Sequence, residues 1–286
     1  MSSSPALREA VALRPLRPLF HVAREHGIDA DAALAAVGIA AELLEQPDAR
    51  ADGARVREAL LTVSRQAGDA PLGLFAARHI QEGDFGLLSF LITSAESLRD
   101  AAQLAQGFYA LLDPSAELRL EEDGRTARAV LAARTRPVVL PIVAEYTLAA
   151  AVELTRKATG YDLRADEVRF VHRRDRHRAA FEELFRAPVR FCAERDEVLF
   201  ARIFLDMRMP KADPALRQTF LEYAQRLLAE TESSESFSER ARRIVLDDLR
   251  TGDSTLDGLA QKLGLGRRTL QRRLQELGTS HQTLVD

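Results

Sequence analysis

A single cysteine, Cys192, stands in 286 residues, which excludes an internal disulfide framework and any cysteine-rich zinc site. The chain has no glycine-rich phosphate loop and no Gly-x-Ser-x-Gly elbow, so two common routes to catalysis have no foothold. Long apolar runs are missing as well. The most apolar stretch, residues 138–152, is interrupted by Pro141 and Glu145 and is too short to span a bilayer. Residues 1–16 carry charge and no extended apolar core, which argues against a signal peptide. The expectation is a soluble, cytoplasmic chain with no membrane partner, no metal, no cofactor and no reaction.

The residues that could contradict this are few. His172 and His177 are five apart in an Arg-rich stretch, not the four-apart spacing that sets two ligands on one helix face, and read as a solvated loop. Cys192 lies in an alternating stretch and reads as a small core residue. Glu121, Glu122 and Asp123 cluster at a turn, where charges are normally solvated.

What is present is enough apolar content, 46%, for a sizeable core, and the length favours two domains. The net charge is −3, unremarkable for the whole chain but unevenly spread. Residues 238–286 hold nine Lys and Arg against seven acids, a balance of +2, which leaves −5 elsewhere. A weakly basic tail on an acidic body suits a DNA module attached to a domain of another kind.

Periodicity predicts an α+β body of helices around a small, mostly antiparallel sheet, followed by an all-α segment. Helices are expected over residues 7–26, with Pro15 and Pro18 at an early start or kink, and over 29–37, 40–45, 55–66 and 71–79. The run 85–92 fits a buried helix or strand; helix is favoured because Thr93 and Glu96 look like a capping box for a helix over 96–112. Residues 117–121 and 126–133 flank Asp123-Gly124 as a hairpin. A long helix over 140–159 stops at Gly160, followed by a strand at 168–172 and a helix at 177–185. Residues 189–193 and 197–201 would form a second strand pair. In the helix over 213–230, Leu216, Phe220, Tyr223 and Leu227 would form either a coiled-coil seam between subunits or a stripe packed on the body. Residues 231–236 read as a polar linker, and 237–249 as the first helix of the tail.

The tail then carries two short helices with a tight corner. Ser254 is placed to cap the first, with Asp257 in its first turn. Leu256, Leu259, Ala260 and Leu263 share a buried face; Gly264 supplies the corner and Leu265 plugs it. The second helix buries Leu270, Leu274 and Leu277 and ends at Gly278. Its outer face presents Arg267, Arg268, Gln271, Arg272 and Gln275. Arginine can pair with guanine and glutamine with adenine, while further arginines neutralise phosphates.

The stretch 264–274, Gly-Leu-Gly-Arg-Arg-Thr-Leu-Gln-Arg-Arg-Leu, resembles the first helix-turn-helix of AraC/XylS-type transcription regulators. By that resemblance Arg268, Gln271 and Arg272 hold base- and backbone-contacting positions. The family usually has serine where Gly266 stands, a loss of a few tenths of a kcal/mol in capping. Members carry two such units joined by a long helix, and residues 279–286 look like the start of that helix, so the second unit is expected to be absent. The body resembles the N-terminal arabinose-binding-domain-like effector and dimerisation domain of one branch, through residues 69–74, 85–112 and 185–195.

The resulting division is 1–230 for effector sensing and dimerisation, 231–236 for the linker and 237–286 for an incomplete DNA-binding domain. The expected partners are double-stranded DNA, a small-molecule effector, a second copy of the chain and, by resemblance, RNA polymerase. An effector pocket would be apolar and lie between the sheet and the helices of 85–112, with Phe90, Phe108 and Tyr109 as candidates. The alternative is a ligand- or protein-binding sensing module that does not bind DNA productively with one helix-turn-helix.

Overall fold

The computed structural model describes residues 10–81, 83–134, 138–233, 241, 244–245, 248, 255–276 and 284. The side chains of residues 230–233, 273, 275 and 276 are outside that description. The chain divides into two compact units, one running to Leu228 and one containing Ala229–Asp286. No helix among the described residues is long and apolar enough to cross a membrane.

The larger unit is a mixed α+β structure. Strand β1 (Ala10–Ala12) pairs antiparallel with β2 (Arg50–Asp52). Between them lie α1 (Arg17–Glu25) and α2 (Ala30–Ala35), and α3 (Gly53–Ala67) follows. Residues 10–12 were expected to be helical. They are extended because their backbone is drawn into pairing with β2, and Pro18 fixes the helix start in the first turn of α1 instead. Asp29 and Asp52 cap α2 and α3 with their carboxylates.

Helix α4 (Leu72–Ala76) packs against α7 (Pro141–Thr159) at a very short distance. A Cβ on Gly73 would lie 2.2 Å from the Ile142 carbonyl oxygen and 2.8 Å from Glu145 Cβ, so only glycine fits there. Helices α5 (Leu87–Thr93) and α6 (Leu98–Phe108) sit between these two in sequence. The helix expected over 85–92 is therefore present, but the capping box is not. Ser97 caps α6 by accepting the Asp100 N–H, and Asp100 accepts the Glu96 N–H, while Thr93 donates back to the Ser89 carbonyl.

The main sheet has five strands in the order β3-β4-β7-β5-β6. Strands β3 (Ala116–Asp123) and β4 (Thr126–Ala133) form the expected hairpin around Asp123-Gly124, and β4 continues antiparallel to β7 (Asp196–Ala201). β5 (Glu167–Arg169) pairs antiparallel with β7 and parallel with β6 (Val189–Arg190). The expected pairing of 189–193 with 197–201 is thus corrected. α8 (Arg178–Phe185) carries the chain from β5 to β6, which makes a parallel crossover, and the chain bends at residues 191–195 before β7.

Cys192 lies in that bend, exposed and at φ +58°, rather than in the core. Of the acids expected to be solvated at the hairpin tip, Asp123 is exposed, whereas the other two are engaged: Glu121 accepts from Arg195 at 3.0 Å and Glu122 pairs with Arg99. His172 is not in a solvated loop either. Its Nε2 lies 2.9 Å from Glu145 Oε1, which also accepts from Arg174 Nε at 2.9 Å, and Glu145 is fully buried.

Helix α9 (Pro214–Ser233) closes the unit, continuing through the first three residues of the expected linker. Its apolar stripe is divided. Phe220 and Leu227 pack with Leu221, Ala224 and Leu228 against α5 and α6, whereas Leu216 and Tyr223 remain half exposed.

In the smaller unit, Ala241, Ile244, Val245 and Asp248 are helical. They are the described part of the helix expected over 237–249. Helices α10 (Leu256–Lys262) and α11 (Arg267–Glu276) follow, and Ala241, Ile244 and Val245 join Leu259, Ala260, Leu270 and Leu274 in one core.

Candidate functional site

Two arrangements of side chains stand out, one in each unit. In the smaller unit, Thr255 caps α10 by accepting the Gly258 N–H at 3.1 Å; Ser254, expected in that role, lies outside the described residues. α10 then ends in a paired turn: Gly264 N–H donates to the Gln261 carbonyl and Leu265 N–H to the Ala260 carbonyl. This 5→2 and 6→1 pattern needs a left-handed residue, and Gly264 supplies it at φ +66°. The turn directs α11 across α10 so that Leu270 and Leu274 meet Leu259 and Ala260, all nearly inaccessible to solvent.

With those leucines inward, Arg267, Arg268, Gln271 and Arg272 are exposed on α11. Arg268, Gln271 and Arg272 are spaced by three and four residues and share one side of the helix. Arg267 is turned back, donating to Asp257 Oδ2 at 2.9 Å across the corner. Gln275 belongs to the same spacing; its side chain is outside the described residues, as are Leu277 and Gly278.

In the larger unit, α5, α6, α7 and the sheet enclose a cavity of about 350 Å³. Its wall includes Leu88, Ile92, Ala102, Ala105, Leu120, Val198 and Phe200, an apolar surface. Tyr109 also lines it, with its hydroxyl 3.4 Å from Thr147 Oγ1, and burial pushes the phenol well above its ordinary pKa. Phe108 is buried among Leu104 and Leu111, and Phe90 is 46% exposed with its ring 5.7 Å from Phe220. The structure therefore sets one of the three candidate aromatics on the cavity wall, and the other two in the packing behind and beside it.

Sequence reasoning did not reach the polar residues of this cavity: Ser89, Arg119, Lys157, Arg164 and Lys211. Their types gave no signal, because each is an ordinary helix, strand or loop residue until α5, α7 and the sheet are assembled. Among the described residues one further group could hold a metal ion. His21, Glu25 and His79 bring ligand atoms within 4.8 Å of one another, all exposed.

The relatives decide what these two arrangements belong to. Residues 27–209 match the family described as the arabinose-binding domain of AraC transcription regulators, N-terminal part. The chain belongs to this family. It is therefore an AraC-type transcription regulator with an effector-binding N-terminal domain, and not an enzyme. The chain is similar to the ornithine utilization regulator of Pseudomonas aeruginosa, 27% identical over 282 residues, covering 97% of this chain and 82% of that protein. An uncharacterized HTH-type transcriptional regulator of Mycobacterium tuberculosis is 25% identical over 279 residues, covering 94% of this chain and 80% of that one. The crystal structure of the transcriptional regulator CdpR from Pseudomonas aeruginosa has a similar fold, with TM-score 0.52 and 22% identity over 89% of this chain and 80% of that one.

Proposed function

We propose that this AraC-type regulator reads double-stranded DNA with α11 and is controlled by a small molecule held in the cavity of the larger unit. The supporting observation is the division of labour on α11. Leu270 and Leu274 are inaccessible while Arg268, Gln271 and Arg272 face outward together. Arg268 and Gln271 are assigned to base edges, and Arg272 and Gln275 to the base or backbone beside them. Arg267, held by Asp257 across the corner, orients the helix and meets phosphate.

In this reading residues 1–230 sense effector and dimerise, 231–236 link, and 237–286 read DNA. Leu216 and Tyr223, seven residues apart on α9 and half exposed, would contribute to contact with a second copy. Effector binding shifts the presentation of two DNA modules to the extent that it favours one arrangement over the other, in the cytoplasm and in concert with RNA polymerase.

The test is selection of bound duplexes from a random pool by the full chain, at low and moderate salt. A common sequence is expected to emerge, with affinity falling as salt rises. Absence of salt-dependent binding would overturn the DNA-reading assignment and favour a sensing module without productive DNA contact.

A further inference from the structure

The cavity in the larger unit has a distinctive charge pattern. Among the described residues its lining includes Arg119, Lys157, Arg164 and Lys211 but no Asp or Glu, although acids outnumber Lys and Arg in the whole chain, 43 to 40. All four cations are exposed, while the wall between the helices and the sheet is apolar. The cations therefore rim the mouth of a greasy interior. Arg119 pairs with Glu117, and Arg164 lies 3.9 Å from Asp162, so part of their charge is answered outside the cavity. Lys157 differs: its Nζ donates to a neutral partner, the Ile80 carbonyl, at 2.9 Å.

A second observation points inward. Ser89 Oγ, on the α5 wall, is shielded from solvent and has no hydrogen-bond partner. A buried hydroxyl without a partner is uncommon and costs free energy, and here its residue lines space large enough for an organic molecule.

We propose that the effector is an anionic amphiphile: an apolar body within the cavity, a carboxylate head at the Lys157 side of the mouth, and a polar atom within reach of Ser89. This rests on the reading of the cavity as the effector site. The apolar wall supplies affinity in proportion to the carbon buried, and the cationic rim selects anion over cation. An ammonium head of the same length meets like charge at the mouth and is disfavoured.

The test uses the full chain and three probes of equal length, octanoate, 1-octanol and octylamine, titrated calorimetrically. Octanoate is expected to bind best and octylamine worst. Lys157→Gln, a change at an exposed position, should weaken octanoate about threefold to fivefold, the range of an exposed ion pair, and leave octanol unchanged. Ala102→Phe, which fills the cavity from α6, should abolish binding of both while the circular-dichroism melt shows a folded protein. Equal binding of octanoate and octanol, both lost in Ala102→Phe, would overturn the anion selection and leave the cavity as an effector site. Octanoate binding that survives Ala102→Phe, or no binding by any probe, would overturn the inference itself. The regulatory reading fails separately, if a bound probe leaves the affinity for selected DNA unchanged.

Discussion

Asp100 on α6 receives two hydrogen bonds from Arg217 on α9, from Nε at 2.7 Å and Nη2 at 2.6 Å. The pair is bidentate and partly shielded, which makes it stronger than a typical surface ion pair. It joins a helix that walls the cavity, through Ala101, Ala102 and Ala105, to the helix that leaves the larger unit. Arg217→Ala is expected to cost about 1–2 kcal/mol of stability. A double-mutant cycle with Asp100→Asn, followed by urea denaturation, should return a coupling energy clearly above zero. Additive effects would mean that the contact is incidental.

The same carboxylate gives a pH dependence of known sign. Burial pushes the Asp100 carboxyl up, but the Arg217 hydrogen bonds and the Glu96 N–H outweigh it and hold it below its ordinary value. A group with a depressed folded pKa contributes stability above the unfolded carboxylate range, and loses it as pH falls through the folded value. Wild type should therefore lose stability faster than Asp100→Asn on acidification below about pH 4. Parallel stability–pH curves for the two proteins would contradict this.

Glu145 presents a harsher case. It is fully buried, with Oε1 shared by His172 and Arg174, and Arg174 is itself buried. Replacing it by alanine leaves the Arg174 guanidinium with Asp69 at 3.5 Å as its remaining anion. The expected loss is about 3–5 kcal/mol, the usual consequence of breaking a buried pair from one side. Chemical denaturation of Glu145→Ala beside Arg174→Met measures this directly; a loss under about 1 kcal/mol would show that water compensates the charge.

That cluster also shows where sequence reading stopped. The Gly160 helix stop, the Asp123-Gly124 hairpin and the Gly264 corner were legible because each depends on residues a few positions apart. The α10–α11 core was legible for the same reason, since Ala260, Gly264 and Leu270 fall within one motif. Glu145 and His172 are 27 residues apart, and nothing local indicates that α7 and the segment after β5 place them together. Strand β1 and the parallel β5–β6 pair were missed because each is short and defined by a distant partner. The cations of the cavity mouth come from β3, the end of α7 and two loops, so they acquire meaning only in the fold.

Gly73 tests the contact between α4 and α7. An alanine Cβ would fall 2.2 Å from the Ile142 carbonyl oxygen and 2.9 Å from the Tyr146 nitrogen. These are backbone atoms, which cannot rotate away as a flexible side chain would. Gly73→Ala should cost at least about 3 kcal/mol, at the upper end for overpacking, despite alanine's better helix propensity. A melting temperature equal to wild type would mean that α4 can shift away from α7 without loss.

The last prediction separates the roles on α11. Arg268→Ala and Gln271→Ala should each cost about 1–3 kcal/mol on a selected site and much less on random duplex, because a base contact matters only when the base is right. Arg267→Ala should weaken selected and random DNA alike, because Asp257 turns that guanidinium across the corner and away from a base-reading pose. Gly264→Ala tests the corner itself: at φ +66° a Cβ costs about 1–2 kcal/mol, destabilising the smaller unit and lowering affinity for every sequence in parallel. Fluorescence anisotropy on both duplexes distinguishes these patterns. Equal losses on the two duplexes for Arg268 and Gln271 would assign both side chains to phosphate, and sequence discrimination would then have to come from elsewhere in the protein.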